Sequence, residues 1–137
     1  MKTLIVYYSY TGNTKRIAEA FAESEGADIA EVKDVKRPWK LKAYTAGIVA
    51  VMRGKLWPIQ LPDIDFSEYE RLVLFSPVWA NNPPPSVAAL LEQLPEGKSV
   101  AVRMVSASGK SDCVQRLETA IKARNCQLEG VEDIKAR

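Results

Sequence analysis

The sequence predicts an α/β domain, a three-layer sandwich in which helices cover both faces of a five-stranded, mainly parallel sheet. Three observations carry this. Short apolar or β-branched runs recur along the chain, segments with helical spacing separate them, and each separation is long enough for the crossover that parallel neighbours need. The 137 residues supply one core and no second domain, so residues 1–137 are expected to form a single unit.

The elements follow in order. Residues 4–8, "LIVYY", are continuously apolar, the mark of a central strand covered on both faces, which sets Tyr7 and Tyr8 on opposite faces. Ile17, Ala18, Phe21 and Ala22 then repeat as one side of a helix. "ADIAEVKDV", 27–35, mixes β-branched residues with charges and is expected at a sheet edge. From about 36 to 62 the alternation is interrupted by an insertion. Within it Tyr44, Ile48, Val51 and Met52 predict a short amphipathic helix ending at Gly54, and Trp39 and Trp57 are expected to pack the insertion onto the body. "RLVLFS", 71–76, is a second buried strand. Val87, Leu90, Leu91 and Leu94 give a helix closed by Pro95 and Gly97. "SVAVRMV", 99–105, is a third buried strand, Val114, Leu117 and Ile121 mark another helix, and "CQLEGV", 126–131, is the last and weakest strand.

Composition narrows the chemistry. A hydrophobic share of 47% against 26% charged belongs to a globular chain, not a disordered one. There is no histidine, and Cys113 and Cys126 form no CxxC, so structural zinc and any histidine-dependent triad are excluded and no metal site is expected. Burial as a small apolar residue is the expected fate of Cys113. No apolar run nears the roughly 18 residues of a spanning helix, and "MKTLIVYY" enters a strand pattern with no cleavage region, so the expectation is a cytoplasmic protein without membrane contact. A net charge of +2 gives no argument for nucleic acid. Its distribution is uneven: Lys33 to Lys55 carries seven basic residues against Asp34 alone, a solvated face or a meeting surface for an anionic partner.

The most informative stretch is "SYTGNT", 9–14, at the carboxyl end of the first strand, where ligands gather in open α/β sheets. A helix starting near Asn13 or Thr14 leaves its first N–H groups without partners and carries partial positive charge, which suits a phosphate. Gly12 lets the backbone turn tightly, and Ser9, Thr11 and Thr14 add hydroxyl donors. Each of these residues is also an ordinary turn or N-cap type; only the whole string points to an anion. It is neither GxxxxGK[ST] nor GxGxxG, which disfavours nucleoside triphosphates and NAD-type binding at this loop.

"IVYYSYTGNTKRIAEAFAE" resembles the opening of the flavodoxin-like proteins, whose S/T-x-T-G-N-T loop binds the 5′-phosphate of FMN. "YERLVLFSPVWANNPPPSVAALLEQL" is similar to a second segment of that family, at the right spacing, so the resemblance runs over residues 1–131. It implies strand order 2-1-3-4-5 and three loops around FMN. Ser9, Tyr10, Thr11, Gly12, Asn13 and Thr14 would take the phosphate. Pro77, Val78, Trp79, Ala80 and Asn81 would lie along the ring, with Trp79 as the aromatic surface and a backbone peptide near Asn81 flipping to meet the flavin N5 position. Ser106, Ala107, Ser108 and Gly109, in a loop running to Ser111, would close over the pyrimidine side.

Three departures from the family stand out. Phe75 replaces a glycine, and its ring either crowds the flavin or turns into the core. Asn81 also replaces a glycine, and there is little chain after the fifth strand for a last helix. A sheet face short of cover would expose apolar surface, from which a homodimer is expected. The resemblance implies an FMN-binding redox protein exchanging electrons with a partner protein. The alternatives are an NAD(P)H-dependent FMN quinone or flavin reductase and a scaffold that has lost the cofactor. With Lys110 in the third loop, a less negative potential for the second electron is expected than in an acidic relative.

Overall fold

The computed structural model describes residues 2–35 and 40–136, with side chains from residue 45 onward in the first turns of the insertion helix. Trp39, one of the two insertion tryptophans, lies outside the described residues. The elements are β1 (Thr3–Tyr7), α1 (Asn13–Glu25), β2 (Asp28–Glu31), β3 (Lys33–Asp34), α2 (Lys40–Arg53), β4 (Ile59–Gln60), β5 (Arg71–Pro77), α3 (Pro85–Glu92), β6 (Ser99–Ser106), α4 (Val114–Lys122) and β7 (Gln127–Lys135), with one 3-10 turn at Phe66–Glu68.

Five strands form a parallel sheet in the order β2-β1-β5-β6-β7, which is 2-1-3-4-5 in its principal strands. The central strands are apolar on both sides because both sides are covered. Leu4, Val6, Leu72, Leu74, Val100, Val102 and Met104 pack with Leu90, Leu91, Leu94, Leu117 and Ile121 of the α3–α4 layer. Ile5, Tyr7, Val73, Phe75, Ala101 and Val105 pack against Ala18 and Ala22 of α1. No helix among the described residues is long and apolar enough to cross a membrane.

Four details differ from the sequence reading. The 27–35 stretch is two strands: Val32 still donates to the Tyr7 carbonyl at 2.8 Å, then Lys33 and Asp34 leave the sheet to pair antiparallel with β4. The last strand runs nine residues, not six, because β7 pairs along the whole of β6; its charges mark an edge and not an end. Val114 is 54% exposed, so only Leu117 and Ile121 anchor α4. Helix α2 is turned about its axis: Gly47, Ala50 and Val51 face inward, while Ile48 and Met52 face out.

The sheet face on the α1 side also differs from expectation. No helix follows β7 among the described residues, and beyond α1 this face sets charged groups beside Ala101, Val105 and Ile134. Arg71 donates through Nε to Glu129 at 2.9 and 3.0 Å, Ser99 donates to the same carboxylate, and Arg103 pairs with Glu132 while lying over the Phe21 ring. Glu129, itself exposed, is the extra residue of a bulge between Leu128 and Gly130. Among the described residues no large apolar side chain of β6 or β7 is strongly exposed on this face.

Candidate functional site

The loops 9–14, 77–82 and 106–111 follow β1, β5 and β6, three adjacent strands, so all three sit at the carboxyl edge of the sheet. Side chains and backbone tie them together. The Tyr10 ring meets Trp79 edge-on, with centroids 5.9 Å apart. Asp112 donates its N–H to the Asn81 carbonyl at 3.0 Å, joining the second loop to the third.

In the first loop, Gly12 stands at φ 100 as the N-cap of α1, a conformation that side chains with a Cβ avoid. No side chain caps the helix and no acidic residue lies in its first turn. Its leading N–H groups thus keep the positive end of the helix open to an anion. Ser9 Oγ accepts from Gly12 N–H at 3.1 Å, which fixes the turn. Thr11, Gly12 and Asn13 are exposed, whereas Thr14 is buried. The donor set is one of amides and alcohols, suited to a phosphate ester.

The second loop is a two-residue turn. Trp79 and Asn82 exchange backbone hydrogen bonds of 2.8 and 3.0 Å, and Ala80 and Asn81 both have positive φ, 49 and 66, as a type I′ turn demands. Pro77, Val78 and Trp79 are half-buried, Ala80 and Asn81 exposed. Trp57 also meets Trp79, with centroids 5.8 Å apart, so Tyr10, Trp79 and Trp57 are linked as a row of ring contacts. Trp57 also packs the insertion onto the body as expected, donating its N–H to the Pro85 carbonyl. In the third loop Ser106 Oγ accepts from Gly109 and Lys110 N–H at 3.0 and 3.2 Å, and Ser108 Oγ accepts from Lys110 N–H, leaving Ala107 and Ser108 exposed.

Phe75, whose ring had two possible directions, turns into the core against Phe21 at 5.5 Å and leaves the loops clear. Cys113 is buried, and burial pushes its thiol up from its ordinary range, which disfavours the thiolate.

Two features escaped the sequence. Tyr8 donates to Asp34 Oδ2 at 2.6 Å and Ser86 donates to Oδ1, so this carboxylate ties β1, β3 and α3 together beside the Trp57 contact. These partners are 26 and 52 residues apart, and no local pattern signals them. Gly47 is the other. A Cβ there would fall 2.6 Å from Trp79 Cζ3 and 3.3 Å from Trp57 Cη2, so α2 lies directly on the aromatic row.

No family model matches the chain. A flavoprotein of Lactobacillus acidophilus NCFM, crystallised in complex with FMN, superposes with a TM-score of 0.75 at 27% identity, covering 95% of this chain and 91% of that one. A flavodoxin of Streptococcus pneumonia TIGR4 matches 100% of this chain and 88% of its own at 18% identity and TM-score 0.55.

The fold is flavodoxin-like.

An uncharacterized protein of Archaeoglobus fulgidus is also similar, 27% identical over 111 residues, which is 79% of this chain and 66% of that protein's length. Within this flavodoxin-like fold the three loops lie where the strand order reverses between β1 and β5 or just beside it, the crevice that open α/β sheets leave for ligands.

Proposed function

We propose that this flavodoxin-like chain binds FMN and carries electrons to or from a partner protein. One observation carries the reading: an open, uncapped α1 N-terminus stands beside a row of aromatic rings, across loops that hydrogen-bond to one another. A phosphate ester and a flat ring joined by a short chain require that pairing. The FMN complex of the Lactobacillus acidophilus neighbour supports it.

When bound, FMN supplies the transfer of electrons, one at a time. The protein's part is to hold and tune it. The amides of Asn13 and Thr14, with the alcohols of Thr11 and Thr14, hold the phosphate. The Trp79–Asn82 turn presents backbone groups and the indole to the ring, and the turn 106–109 closes the other edge. Phe75, being in the core, puts no obstacle there.

The test is a titration of the purified protein with FMN, following flavin and tryptophan emission together. Quenching of both is expected, and Trp79→Ala should weaken binding by ~1 kcal/mol or more, the size of an aromatic pair. A protein that leaves both signals unchanged does not bind FMN, and the reading fails. Steady-state oxidation of NAD(P)H without a partner protein would identify a reductase instead.

A further inference from the structure

Over residues 45–53, helix α2 carries its bulk on the wrong side for a helix that only covers a core. Its inner residues Gly47, Ala50 and Val51 are buried, while Ile48 is 38%, Val49 46% and Met52 79% exposed. The inside is small because the indoles of Trp79 and Trp57 lie against Gly47. That explains the small residues and leaves the large ones outside without a structural task. Just past the helix, Gly54 and Leu56, the latter 46% exposed, line a groove of about 870 Å³ between α3 and α4, where Leu91 and the exposed Val114 add apolar wall.

The surroundings carry a basic excess: Arg53 and Lys55 are exposed beside these apolar side chains, and Arg116 and Arg124 line the groove together with Glu92 and Asp112. Asp34, the one acid between Lys33 and Lys55, spends both carboxylate oxygens on Tyr8 and Ser86.

We infer that the outer face of α2, with the groove beside it, docks an acidic partner protein whose contact surface has an apolar centre and a carboxylate rim. The partner's role as electron donor or acceptor rests on the FMN reading; the docking does not. Apolar centre and charged rim are the anatomy of a specific protein interface. A bilayer is too flat to enter the groove. The position suits electron exchange as well: a partner here stands one helix thickness, ~10 Å, from the aromatic row.

The test titrates the isotope-labelled chain, without added FMN, with an acidic plant-type ferredoxin at low salt and follows amide signals. Signals from residues 45–56 and around Val114 should shift or broaden, and salt should reverse the effect. Met52→Glu, at an exposed position that costs the fold little, and the pair Arg53→Glu with Lys55→Glu should each weaken binding on the order of tenfold. Absence of binding, shifts confined to other surfaces, or binding indifferent to Met52→Glu would overturn the docking site. Tight binding to phosphatidylserine vesicles that Met52→Glu abolishes would overturn it in favour of a lipid surface. Self-association of the chain that the same variant abolishes would overturn it in favour of a second copy. Shifts on α2 in a protein that holds no FMN would uphold the docking while the flavin reading fails.

Discussion

Ala80 shows how much a single side chain is made to tolerate at this site. With Asn81 it closes the turn that aims Trp79, and both stand in the left-handed region at φ 49 and 66. Asn accepts that region because its short polar side chain bonds locally; alanine has no such compensation, and its Cβ costs ~1–2 kcal/mol there. Glycine would remove the cost but loosen the unfolded chain, which offsets ~0.4–1 kcal/mol. The balance predicts that Ala80→Gly stabilises the protein by up to about 1 kcal/mol, read as a higher urea midpoint at unchanged slope. A lower midpoint would mean that the turn is not strained. The sequence shows nothing of this, since "WANN" looks like any loop, and the strain exists only once Trp79 and Asn82 pair.

At the scale of elements, α2 was legible as a helix and illegible in its orientation. The spacing of Ile48, Val51 and Met52 reports which residues are apolar, and a helix normally turns such residues inward. Here Trp79 and Trp57, from distant parts of the chain, already occupy that space, so the smallest residue of the helix faces them. Gly47→Ala tests this packing. The added carbon would sit 2.6 Å from the Trp79 ring, and overpacking of this kind costs ~1–3 kcal/mol. A fall in the urea midpoint with a shift in tryptophan emission is expected, and a variant with neither change would show that α2 does not rest on the indole. Edge strands were misjudged for a related reason. The ends of β3 and β7 depend on partners, Asp34 on Tyr8 and Ser86 and all of β7 on β6, that no local window contains. The buried strands and the phosphate-type loop were readable because apolar continuity and turn chemistry are local.

Across the whole molecule, the two faces of the sheet are finished in different ways, and that difference has a measurable pH signature. The α3–α4 face is closed by aliphatic packing, whereas the α1 face ends in the Arg71–Glu129–Ser99 cluster and the Arg103–Glu132 pair. Aliphatic contacts are indifferent to pH, but the cluster is not. The hydrogen bond from Arg71 holds the Glu129 carboxyl below the ordinary glutamate range, with Ser99 and the nearby positive charges adding to it against partial burial. A group whose pKa is lower folded than unfolded binds its proton more readily in the unfolded state. Its stabilisation is therefore complete above the unfolded glutamate range and is lost as pH falls through the folded value. Glu129→Gln removes that contribution at every pH, so the gap in melting temperature between the natural protein and the variant should be open at pH 7 and should close between about pH 5 and pH 2. The cluster is half-exposed, which keeps the gap modest and makes it shrink in high salt. Thermal unfolding of both proteins across that range decides the matter: a gap that persists unchanged into acid would mean that Arg71 and Glu129 do not stabilise one another, and that the polar finish of this face serves only to keep it wet.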